Sequence, residues 1–157
     1  MNTNLYEHRQ PAIFIIRLFL GIAITILLLA TVNVMNMDGS TIEAISPLSF
    51  FLIPPSILLI VGTLFRSLTV CVGKEDISLA FGLGIIRKRF RIEDIESSRV
   101  VRNRWYYGLG IRKIQNGWLY NVSGLDAVEL QMKDGRRFRI GTDEPDELLE
   151  AIEVARR

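Results

Sequence analysis

One cysteine and one histidine in 157 residues remove much of the chemistry available to a small protein. Cys71 alone can build neither an internal disulfide nor a Cys-rich metal site. His8 has no companion histidine, so a His-based metal set is missing, and no serine or cysteine stands beside a base in the pattern that nucleophilic catalysis needs. The glycine pairs Gly82/Gly84 and Gly108/Gly110 lack a third glycine at the dinucleotide spacing, and no Lys-Ser or Lys-Thr pair follows them as a phosphate-binding loop requires. Asp126 and Glu129 have no spacing that compels acid–base work and read as a solvated strand face. The expectation is a protein with no cofactor, no metal and no catalysis.

What the chain has in excess is apolar sequence, 49% of all residues and concentrated before residue 66. Residues 12–32 are apolar apart from Arg17 and Thr25 and would span about 31 Å as a helix, which matches the hydrocarbon core. Arg17 lies in the first turns, where its long side chain can reach the headgroups. A signal peptide is the alternative, but the apolar core is too long and no clean cleavage pattern follows. Residues 48–65 would cover about 27 Å, just enough for a second crossing. Pro54-Pro55 inside this segment predicts a kink, because each proline lacks an N–H and disturbs the preceding turn. Residues 33–47 contain Asp38 and Glu43 but no Lys or Arg, and read as an external loop. Arg9 and Arg17 flank one end of the hairpin, Arg66 and Lys74 the other. The positive-inside rule therefore puts residues 1–11, a short polar tail, and residues 68–157, a soluble domain, on the cytoplasmic side. The Asn121-Val122-Ser123 glycosylation sequon falls on that side and is discounted.

Beyond residue 66 the period changes from helical to two. Leu68, Val70 and Val72 share one strand face, and Ile77, Leu79 and Phe81 share a face of the next. Phe90 and Ile92 point inward with Arg87, Arg89 and Arg91 outward; later, Phe138 and Ile140 point inward with Arg137 and Arg139 outward. Residues 97–103, 117–122 and 127–132 are further strands. Asp134-Gly135 is a hairpin signal, and the glycine-rich residues 105–113 read as a long loop or bulged edge. Residues 144–156 form an amphipathic helix, capped by Thr142 or Asp143, with Leu148, Leu149, Ile152 and Ala155 in one stripe. This gives seven antiparallel strands followed by one helix. Cys71 lies in the first of these strands, either as a small packing residue or as a juxtamembrane thiol open to acylation.

Residues 108–112 (Gly-Leu-Gly-Ile-Arg), 117–124 (Gly-Trp-Leu-Tyr-Asn-Val-Ser-Gly), 126–130 and 139–145 resemble the bacterial membrane-associated PH-like (pleckstrin-homology-like) domain proteins, over roughly residues 68–156. The resemblance implies a seven-stranded antiparallel barrel capped by a C-terminal helix, preceded by two transmembrane helices, in a bacterial inner membrane. Eukaryotic PH domains often bind phosphoinositides through a basic first hairpin. Here that turn is Lys74-Glu75-Asp76, so inositol-phosphate binding is not carried over.

Residues 66–113 hold eleven Lys or Arg against five Asp or Glu, whereas residues 114–157 hold six against nine. A basic excess next to the membrane suits an anionic inner leaflet, where each nearby cation contributes roughly 1 kcal/mol; membrane attachment argues against nucleic acid. The candidate lipid- or partner-binding residues are Arg87, Arg89, Arg91, Arg137 and Arg139 on strand faces, and Trp105, Tyr106, Arg112 and Lys113 in the glycine-rich segment. Aromatic rings suit the membrane interface, but the same rings can instead cover the core. The expected function is a membrane-tethered interaction or scaffold module that binds a protein partner or itself at the cytoplasmic face. Alternatives are an anionic-lipid sensor and an accessory subunit of a transporter or envelope complex.

Overall fold

The structure is a computed structural model that describes residues 4–35 and 45–157, without the side chains of residues 33, 34 and 45–51. The chain runs β1 (Tyr6–Pro11), α1 (Ile13–Met35), α2 (Ile45–Leu64), β2 (Ser67–Val72), β3 (Asp76–Phe81), β4 (Ile86–Arg91), β5 (Ile95–Arg102), β6 (Gly110–Ile114), β7 (Gly117–Asn121), β8 (Asp126–Met132), β9 (Arg137–Gly141) and α3 (Pro145–Ala155). Four strands form one sheet in the order β1-β2-β3-β4, and five form a second in the order β5-β8-β9-β7-β6.

Among the described residues nine strands replace the seven expected. Residues 6–11, read as a tail, pair antiparallel with β2 from Tyr6↔Val72 to Pro11↔Ser67. The strand escapes a hydrophobic-pattern reading because it is polar: Gln10 is its only buried side chain, and it forms the edge of the sheet. Residues 110–114, read as loop or bulge, form β6 and pair with β7. The pairing is not wholly antiparallel either, since β7 runs parallel to β9. Gly117 permits that junction: a Cβ there would lie 1.5 Å from the Arg137 carbonyl oxygen.

The inward faces of the sheets meet as the period-two pattern requires. Leu68, Val70, Val72, Ile77, Leu79 and Phe81 pack with Phe90, Val128, Leu130, Phe138 and Ile140 in one buried core. Phe90 meets Phe138 at a ring separation of 4.8 Å and Tyr120 at 6.1 Å, within the range of favourable aromatic pairs. Leu148 and Ile152 of α3 are fully buried, and the helix lies against β2, β5 and β8. The helix's N-cap position is Glu144, with no side-chain capping bond, so neither Thr142 nor Asp143 caps it as expected; the Glu144 N–H donates to Thr142 Oγ1 at 3.1 Å in the turn before the helix.

One segment among the described residues, Ile13–Val32, is long and apolar enough to cross a membrane, and almost none of it is buried by the rest of the chain. It is therefore not the core helix of a soluble fold, and the same length and composition serve a membrane anchor or a signal sequence. The second expected crossing, residues 48–65, corresponds to α2, whose described part offers only the shorter apolar stretch Leu52–Leu64. The helix continues through Pro54 and Pro55. The helices lie side by side, with Gly62 facing the Phe19 ring. Of the expected external loop, residues 33–35 and 45–47 are helical, and residues 36–44 lie outside the described residues.

Candidate functional site

The helices leave the sandwich at one end. Pro11 and Ser67, the last and first residues of β1 and β2, are register partners there, and the Ala12 N–H donates to the Arg66 carbonyl at 2.8 Å. Phe65 stacks edge-on against Phe81 at 5.6 Å. The turn between β3 and β4 is held at the same end: Gly82 donates to the Ser67 carbonyl at 2.8 Å, and a Cβ on it would come within 2.4 Å of the Thr63 carbonyl oxygen. Gly82 also has φ of 52°, a conformation suited to glycine. This is the helix-proximal end. The turns after β2, β6 and β8 mark the distal end.

The predicted arginines do not form one surface. Arg87, Arg89 and Arg91 lie on the outer face of β4, while Arg137 and Arg139 lie on the outer face of β9, with the core between. Most are engaged. Arg89 pairs with Asp76 at 3.0 Å, Arg91 with Glu93 at 2.9 Å, and Arg137 donates to Gln131 at 2.9 Å. Arg87 donates to the Gly84 carbonyl at 2.6 Å within its own turn.

Arg139 belongs to a ladder across the outer face of the five-stranded sheet. Cross-strand register aligns Arg99, Glu129, Arg139, Leu119 and Arg112 on β5, β8, β9, β7 and β6. Glu129 Oε1 accepts from Arg99 at 2.5 Å, and Oε2 accepts from Arg139 at 2.7 Å. Arg139 also donates to Asn103 at 3.2 Å and lies over the Tyr107 ring at 5.9 Å. Glu129 is 3% exposed, which corrects its reading as a solvated residue. Its burial works to raise the carboxyl pKa, but the hydrogen bonds from Arg139 and Arg99 outweigh that and hold it below the usual carboxylate range.

Residues 103–109 join β5 to β6, opposite edges of this sheet, and so must cross it. The side chains of this segment divide between the sheet face and the surface. Tyr107 covers Arg139, and Leu109 packs on the core. Trp105 and Tyr106 face outward at 81% and 55% exposure, with Arg104 donating to the Tyr106 hydroxyl at 2.6 Å. Arg112 donates to the Leu109 carbonyl at 3.1 Å, and exposed Lys113 has no ion pair among the described residues.

A cleft of about 370 Å³ lies on the side of the sandwich left uncovered, between β4 and the β6/β7/β9 edge. Phe81, Ile86, Ile111, Trp118, Tyr120 and Phe138 wall it; Arg87, Lys88 and Arg136 supply its charge. The Lys88 ammonium lies 5.7 Å from the Phe90 ring centroid and 6.0 Å from that of Phe138, in the range of cation–π attraction. Lys88 forms no ion pair among the described residues, whereas Arg136 is paired with Asp134 at 2.5 Å. No known protein family, curated protein or solved structure matches the chain. The site is therefore read from its own geometry. Lys88, Trp118 and Arg136 were absent from the sequence candidates, although alternation with Ile86, Phe90 and Ile92 puts Lys88 on the inner face of β4.

Cys71, on β2 between Glu7 and Ser78 in register, has its thiol pKa pushed up by burial and then by the Glu7 charge. At the edge of the same sheet, His8 contacts Asp143 through Nε2 at 2.7 Å and Glu144 through Nδ1 at 3.1 Å, and the Tyr6 hydroxyl donates to Glu144 at 3.2 Å. These contacts tie β1 to the start of α3. Among the described residues no group of three His, Cys, Asp or Glu side chains is placed to hold a metal.

Proposed function

We propose that this is a membrane-tethered, PH-like interaction module. In this reading α1 and α2 cross a bacterial inner membrane as a hairpin, both termini are cytoplasmic, and the sandwich receives a protein partner without performing catalysis. The observation that carries it is the pairing of β1 with β2. The helical hairpin is inserted between two neighbouring strands of one sheet, so both its ends belong on the same side of a bilayer. At about 1.5 Å per residue, the 20 residues of α2 extend about 30 Å, enough for the return crossing. Retention of α1 is supported by what precedes it, since cleavage after a signal sequence would remove an edge strand of the folded domain. Outward-facing Leu27, Leu28, Ile57 and Ile60 suit a lipid environment. Two sheets with a C-terminal helix against them accord with a PH-like plan.

The partner site in this reading is the cleft beside β4. Its cations and exposed Trp118 favour a segment that carries carboxylates and an apolar side chain. A photo-crosslinking residue at Trp118, in full-length protein in native membranes, should give a discrete adduct that Lys88→Glu abolishes. The same residue at Lys133, on the distal end, should give none. Identical adducts from both positions, insensitive to Lys88→Glu, contradict the assignment.

A further inference from the structure

The turn between β3 and β4 has a composition that a water-facing turn avoids. Residues 82–85 are Gly-Leu-Gly-Ile and carry no polar side chain, whereas exposed turns are normally built from Asn, Asp, Ser, Gly and Pro. Leu83 and Ile85 are 63% and 70% exposed. The distal turns contrast with it: they carry Lys74 and Glu75, Gln115 and Asn116, and Lys133 and Asp134. The apolar turn is also fixed in place, since Gly82 abuts the Thr63 and Leu64 carbonyls in the last turn of α2, and Arg87 clamps the Gly84 carbonyl. Two exposed aliphatic side chains thus stand beside the end of an apolar helix.

We propose that residues 82–85 form a lipid-contacting anchor, with Leu83 and Ile85 entering the bilayer interface beside the end of α2, and with Arg66 and Arg87 meeting anionic headgroups. The proposal rests on the membrane-spanning reading above and adds a third point of contact. Strand pairing fixes the two helices to the sandwich, but the whole body can still tilt in the bilayer. An inserted turn beside the helix ends limits that tilt and turns the cleft toward a defined direction.

Site-directed spin labelling of the full-length protein in phosphatidylethanolamine/phosphatidylglycerol vesicles tests this. In a Cys71→Ser background, labels at Leu83→Cys and Ile85→Cys are compared with Gln115→Cys at the distal end and Leu28→Cys within α1. The expected result is a loss of collision with a water-soluble nickel chelate and a gain with oxygen at 83 and 85 relative to 115. Replacing phosphatidylglycerol by phosphatidylcholine should make both labels shallower; unchanged depth overturns the headgroup contact. Labels at 83 and 85 as nickel-accessible as 115, with 28 still lipid-like, overturn the anchor while leaving the helical hairpin in place. Nickel access at 28 overturns the membrane reading itself.

Discussion

The backbone N–H of Ala12 donates to the carbonyl of Arg66 at 2.8 Å, so the residue that opens the first helix is bonded to the residue that follows the second. Ala12 is fully buried, and Ile15, one turn later, joins the same core as Leu68 and Phe81. The helical hairpin is thereby an insertion into a sheet whose strands hold both of its ends. Its orientation relative to the sandwich follows from strand pairing, with no flexible linker between them.

Freedom at this junction should matter more than length. Inserting Gly-Ser-Gly-Ser after Arg66 separates α2 from β2 while leaving each apolar segment intact. Membrane insertion, measured by resistance to alkaline extraction, should persist, and crosslinking from Trp118 should fall severalfold.

Removing residues 2–8 should weaken the domain by exposing the β2 edge and by cutting the ties from His8 and Tyr6 to Asp143 and Glu144. Exposed strand edges also invite association. The expected outcome is faster proteolysis and a tendency to aggregate in detergent. Unchanged protection would mean that β1 adds nothing to the sheet.

Burial makes Glu129 the carboxylate most sensitive to loss of its partners. Glu129→Ala leaves Arg139 largely buried without its carboxylate and should cost about 3 kcal/mol in thermal unfolding. The acid dependence has a definite sign. The folded-state pKa is lowered, so the stabilisation is complete above the ordinary value of 4.5 and is lost as pH falls through the lowered one. Below pH 4.5 the native protein should lose stability more steeply than Glu129→Gln.

Gly82 and Gly117 are required by close approach to backbone carbonyls. Gly117→Ala drives a methyl group into the Arg137 carbonyl at the only parallel pairing among the described strands, and should cost about 4 kcal/mol or more. Gly82→Ala meets the Thr63 and Leu64 carbonyls and should disturb the junction with α2 before it disturbs the core. Circular dichroism and thermal unfolding should separate the two, with a global loss for the first and retained strand signal for the second.

Period-two alternation made the inner face of β2, β3, β4, β8 and β9 legible, because each strand there buries aliphatic or aromatic residues on one side. It missed β1, where pairing is made by a polar sequence at a sheet edge, and β6, where glycines masked five paired residues. Glu129 was misread for a related reason. Alternation placed it on the outer face, but whether that face is wet depends on residues 103–109 crossing it, a long-range arrangement without a local signal. Lys88 was legible by parity; its relation to Phe138 requires the two sheets to be assembled.

The central claim is that strand pairing puts both ends of the helical hairpin on one side of the membrane. Labelling intact cells with a membrane-impermeant maleimide, in a Cys71→Ser background, tests it with single cysteines at Asn4, Gly39 and Gln115. The account predicts that Asn4→Cys and Gln115→Cys are labelled only after permeabilisation, and that Gly39→Cys is labelled from outside. Labelling of Asn4→Cys and Gln115→Cys from opposite sides would contradict it.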